Sequence, residues 1–202
     1  MVTRGEVRDR VRLRLEDTGV AALWSDAEVL EGLRWMLDEY SSRWPREDRQ
    51  TVAALGGEQE LAVPAGALRV ARVVDPAGRV VMPRPGIPAG YAADEAPAWE
   101  SWGGILVFTQ PLVAGDYTIW GEWPWTFPAA DGEEFPVPEG DVTLIVAGAA
   151  CWCLDFRAME EWKRGAIPRG YEQRVSAAKA EYRRQLDARR RRVTVGRVHA
   201  SG

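Results

Sequence analysis

The chain has little of what catalysis usually needs. Its 202 residues hold a single histidine, His199, near the end of the chain and remote from any segment that would form a cleft. No nucleophile elbow, phosphate-binding glycine loop or metal-ligand spacing occurs. The two cysteines, Cys151 and Cys153, stand two apart in an apolar helical run and so point to opposite sides. Neither a disulfide nor a shared metal is expected of them, and both read as small buried apolar residues. Lysine occurs only at 163 and 179, which leaves the basic charge to arginine. The longest apolar run, Val142 to Leu154, is shorter than the roughly 20 residues that a bilayer crossing needs. The charged opening "MVTRGEVRDRVRLRLED" does not read as a signal peptide. These absences set the expectation of a soluble protein made in the cytoplasm, not an enzyme, with no metal and no cofactor.

What is present describes a globular chain. Hydrophobic residues make up 46% and charged residues 28%, enough for one substantial core or a core with an inserted smaller domain. The net charge of −4 is unevenly spread: from Asp187 onward five arginines face one acid, +4, which leaves −8 on the rest. That balance argues against a surface built throughout to grip nucleic acid. Ten tryptophans is high for this length, and some are expected at surfaces that a partner covers.

The order of elements follows from local signals. Thr3 and Glu6 form a capping box before Val7, Val11 and Leu15 at helical spacing, with Gly19 as the expected stop. Ser25 and Glu28 form a second box, flanked by Trp24 and Val29 at staple spacing. The helix behind it gathers Val29, Leu30, Leu33, Met36, Leu37 and Tyr40 on one face and turns Trp35 to the other. From Thr51 to Trp125, glycine, proline and short β-branched runs replace that period. A hairpin is expected at Asp75–Gly78 and another at Val113–Gly115. Asp141 is the expected N-cap of a helix apolar nearly all round, ended by Gly165. A last helix, about Tyr171 to Arg192, carries a stripe of Tyr171, Val175, Ala178, Tyr182 and Leu186. The final "RRRRVTVGRVHASG" has no periodicity. The expected fold is α+β: a helical bundle from both chain ends, residues 1–46 and 141–192, with an inserted, mostly antiparallel β-domain and its linkers at 47–140. A flexible basic tail would follow at 193–202.

In this order of elements the chain resembles the head–tail connector, or adaptor, proteins of tailed bacteriophages. "LWSDAEVLEGLRWMLDEYSSRWP" looks like their early helix, which often opens on Trp-Ser-Asp. "LGGEQELAVPAGALRVARVV" looks like the family's strand ending in a Leu/Val-Pro step, and "DYTIWGEWPWTF" with "FPVPEGDVTLIVAGAACWCL" like its late strand, Pro-rich link and apolar helix. "YEQRVSAAKAEYRRQLDARRRR" is similar to its closing helix, so the likeness runs from about residue 10 to 192.

The resemblance implies a structural virion protein: a ring, generally twelve-fold, made of head-to-tail subunit contacts. The ring would dock beneath the portal protein, extend the DNA channel and receive the tail or a stopper protein, in the neck between capsid and tail. DNA would pass without sequence-specific binding, because an acidic body does not grip phosphates. Trp35 and Trp152 would serve subunit contacts. Arg189, Arg190, Arg191, Arg192, Val193, Val195 and Arg197 would reach the portal, the arginines by forked hydrogen bonds and the valines as an added strand. Two other readings stay open: a carbohydrate-binding module using Trp99, Trp102, Trp120, Trp123 and Trp125, and another neck or tail-completion protein of the virion.

Overall fold

The structure, a computed structural model, describes residues 1–19, 22–84, 96–163 and 170–199, the side chains of 162 and 192–199 apart. Among the described residues there are four helices: α1 (Arg4–Arg14), α2 (Asp26–Arg43), α3 (Val142–Lys163, entered through a 3₁₀ turn at Glu139–Asp141) and α4 (Tyr171–His199). The seven strands are β1 (Arg46–Ala54), β2 (Glu60–Ala62), β3 (Arg69–Val74), β4 (Val80–Pro83), β5 (Ala98–Trp102), β6 (Ile105–Phe108) and β7 (Gly115–Trp123). The chain divides into two compact units, one from Met1–Tyr40 with the chain from Trp125 on, the other Ser41–Pro124.

Both capping boxes close. The Thr3 amide donates to Glu6 Oε2 at 2.8 Å and the Ser25 amide to Glu28 Oε2 at 2.7 Å, while each hydroxyl accepts the amide three residues on. The first helix ends before the Gly19 expected to stop it. Glu16 takes the left-handed conformation (φ 56°). The Glu16 and Asp17 amides donate back to the carbonyls of Leu13 and Arg12, a Schellman closure made without glycine. Buried Asp17 then fixes the connection to α2. Its carboxylate accepts the amides of Leu23 and Trp24 and the Arg12 guanidinium.

The expected bundle from both chain ends is corrected. Among the described residues the fold is α+β with four helices and a seven-stranded, nearly closed, barrel-like sheet, and the helices do not assemble as a bundle. The reason lies in α3. Leu144, Ala147, Ala150 and Cys153 are buried on different sides of it, and α1 and α4 both pack on this one central helix. The other side of α1 is covered by coil: Arg4 binds the carboxylate of Asp131 and the carbonyls of Pro128 and Ala129, and Thr3 bridges to Glu134. Close approach of α2 to α3 relies on glycine. A Cβ on Gly32 would stand 3.0 Å from the Trp152 ring, and one on Gly148 would overlap the Met36 sulfur. By length and composition the span Glu139–Glu161 could cross a membrane, but 61% of its most apolar 18-residue stretch is buried within the chain, as in the core helix of a folded unit.

Two further expectations change. α4 does not stop at Arg192, since its backbone stays helical through His199, and the non-helical tail expected from 193 is corrected to that extent. Arginine is a good helix former, and extending an existing helix needs no new nucleus. The end of α3 expected at Gly165 lies outside the described residues, as do 200–202.

In the sheet unit the order is β1-β7-β3-β4-β5-β6-β2, antiparallel throughout except for the parallel pair β4–β5. β3 and β4 form a hairpin through Asp75–Gly78. The hairpin expected at Val113–Gly115 does not form, because β6 and β7 pair with different strands. The second tight hairpin instead joins β5 to β6 through Gly103 and Gly104, both at positive φ. Leu61, Val73, Leu106, Phe108 and Ile119 form the core inside the sheet.

Candidate functional site

The buried polar centre of the helical unit joins three helices. Tyr40 on α2 donates its hydroxyl to Asp141 Oδ2 at 2.6 Å, and Arg189 Nε on α4 lies 2.8 Å from the same oxygen. Tyr40 and Asp141 are 0% and 2% exposed. Burial pushes the Tyr40 hydroxyl well above its ordinary range, and the Asp141 carboxylate adds to that, against the opposing Arg189 charge. Asp141, expected as the cap of α3, thus stands at the end of the 3₁₀ turn as the anchor of α4. The signal for Arg189 was in the sequence: three residues after Leu186, it continues the buried stripe of α4.

The residues expected to reach a portal therefore separate. Arg189 is committed inside the chain. Arg191 is exposed and its Nε reaches the Asp187 carbonyl, and exposed Arg190 lies 3.9 Å from Asp187 on the same helix. Arg192, Val193, Val195 and Arg197 have their backbone on α4, where a strand-like alternation of the valines does not arise.

Of the two residues expected at subunit contacts, Trp35 is 38% exposed while Met36 beside it is fully buried. Trp152 is half-buried. It covers Gly32 of α2 and stacks on Phe156, with centroids 5.2 Å apart and planes at 7°. Phe156 and Met159 extend this apolar line of α3 to solvent.

The five tryptophans of the carbohydrate reading are not brought together. Trp99 is buried with its indole N–H on the Val81 carbonyl, Trp123 is buried, and Trp125 lies against Tyr40 in the helical unit. Only Trp102 and Trp120 of the five face solvent, on β5 and β7.

The acidic stretch before α3 acts as a clamp. Asp131 accepts Arg4 and Arg8, and the Arg4 hydrogen bond leads in holding its carboxyl below the ordinary value. Among the described residues no group of three or more His, Cys, Asp or Glu could hold a metal. A cleft of about 460 Å³ between α1, α3 and α4 is lined by Arg14, Arg174 and Arg184, but Glu181 and Glu16 neutralise it through Arg14 and Arg174. Burial pushes the Cys153 thiol up to about 12, with the Glu28 charge assisting, so it is not a nucleophile at neutral pH.

Fold and surfaces together define an α+β protein of two compact units. No protein-family model matches the chain, and no curated protein matches it either.

Proposed function

We propose that the chain is a head–tail adaptor of a tailed bacteriophage: a structural neck protein that forms a ring under the portal, continues the DNA channel and receives the tail. The order of elements that resembles those proteins supports the reading. The observation that carries it is the end of α4, a long closing helix fixed to the body by Arg189 and presenting Arg190 and Arg191 at the surface. A helix held this way can meet acidic partner surface through forked guanidinium contacts without unfolding the body. The partners are the portal protein, a tail or stopper protein and further copies of this chain.

The test is assembly. In a phage lacking this chain, DNA-filled heads and complete tails should accumulate unjoined, and adding the purified protein should restore joining. Joined particles formed without it would overturn the reading.

A further inference from the structure

The strand cations of the sheet unit are confined to one end, where β1 and β7 also carry four acids. Every arginine of the seven strands lies on β1 or β3, whereas β2, β5 and β6 hold two acids and no cation. The register makes this division into two rows. On the outer face of β1-β7-β3, Trp120 pairs with Arg49 on one side and Arg72 on the other. On the outer face of β2-β6-β5, Val107 pairs with Glu60 on one side and Glu100 on the other. Each row is charge–apolar–charge across three adjacent strands, so both have the same width of two strand spacings, roughly 9–10 Å.

The side chains suit contact. Trp120 is 39% exposed, and the guanidinium of exposed Arg49 lies 5.4 Å from its ring centroid, a cation–π contact that holds the cation beside the ring. Neighbouring Arg69 and Arg46 are paired with Glu122 and Asp48, while neither Arg49 nor Arg72 has a carboxylate partner among the described residues. Glu60 is exposed, and a carboxylate such as Glu100 accepts several hydrogen bonds at once. Trp102, 77% exposed, stands one pleat beyond Glu100 on the same face and widens the apolar part of the row.

We propose that these two rows meet between copies of this chain, Arg49 and Arg72 of one copy on the carboxylates of Glu60 and Glu100 of the next, with Trp120 against Val107. The rows sit on different three-strand stretches of one strand order, with β4 between them. The contact is heterologous, the kind that builds rings. Glu47, Asp48 and Glu122 around the basic row favour a surface of discrete carboxylates over a polyphosphate strand. The inference deepens the ring reading and rests on it for closure of the ring, not for the contact itself.

Sedimentation velocity at rising concentration and low salt tests it, with thermal melting as the check on folding. The parent should self-associate. Arg49→Glu/Arg72→Glu and Glu60→Lys/Glu100→Lys should each weaken association roughly a hundredfold by setting like charges face to face. An equimolar mixture of the two variants should associate again, because every contact in it joins opposite charges. A parent monomeric throughout, variants that associate like the parent, or a mixture that stays apart would overturn the contact. So would binding of a duplex oligonucleotide that the arginine variant alone abolishes while self-association is unchanged. Normal joining of heads to tails by both variants would leave the neck reading standing and remove this contact from it.

Discussion

Arg189 on α4 and Asp141 at the entry of α3 share a 2.8 Å contact on the oxygen that also accepts the Tyr40 hydroxyl. This contact fixes where the last helix leaves the body, and it makes the first arginine of the run structural. Asp141→Ala would leave a buried hydroxyl and a guanidinium without their acceptor. Breaking a buried pair costs about 3–5 kcal/mol, and the 22% exposure of the Arg189 side chain puts this one at the low end. Tyr40→Phe, which leaves the ion pair in place, should cost about 1.5–3 kcal/mol, as for a hydrogen bond to a charged group. Urea titrations of the two variants check the order. A loss below that of Tyr40→Phe in Asp141→Ala would contradict the arrangement.

The second capping box makes a pH-dependent prediction. The Ser25 amide, then its hydroxyl, hold the Glu28 carboxyl below its ordinary value, with burial opposing. Folded Glu28 therefore binds its proton less readily than unfolded Glu28. The stability it adds is present above the unfolded value near 4.3 and is lost as pH falls through the folded value. Glu28→Gln keeps the box but loses the charge at the helix N-terminus, so it should be less stable than the parent by about 0.3–1 kcal/mol at neutral pH. The difference should shrink as the pH falls below about 4. Thermal melts across that range check it, and a difference that grows toward acid would be inconsistent.

Adjacent residues on α2 should behave oppositely. Met36 is fully buried and Trp35 is 38% exposed. Met36→Ala should cost about 2–5 kcal/mol. Trp35→Ala should leave the melt close to that of the parent and weaken assembly on the virion. A loss for Trp35→Ala in the range of about 3–5 kcal/mol would make it a core residue instead.

Much of the local structure was legible because its causes are local. Thr3 with Glu6, Ser25 with Glu28 and the turn at Asp75–Gly78 each act within five residues, and each forms. Relationships across the chain were not legible. That β6 pairs with β5 and β2 rather than β7 depends on the whole strand order, so the hairpin at Val113–Gly115 was misread. The all-round apolar character of α3 was visible, but it could be covered by a bundle or by separate helices and coil, and Arg4 with Asp131 shows coil taking one side of α1. Of the candidate site, the exposure of Trp35 followed from helical period. The burial of Arg189 could have been found by extending the stripe from Leu186, but a run of four arginines reads first as solvated charge. The row Arg49–Trp120–Arg72 appears only once register is known.

The central claim, that the end of α4 carries the chain onto a portal, is tested most directly by co-sedimentation with DNA-filled, portal-bearing heads. The variant Arg190→Glu/Arg191→Glu/Arg192→Glu keeps Arg189 and the helix length, so it should melt like the parent. The account predicts that the parent sediments with the heads and the variant stays in solution. A variant that docks as the parent does, losing at most retention of packaged DNA, would contradict it.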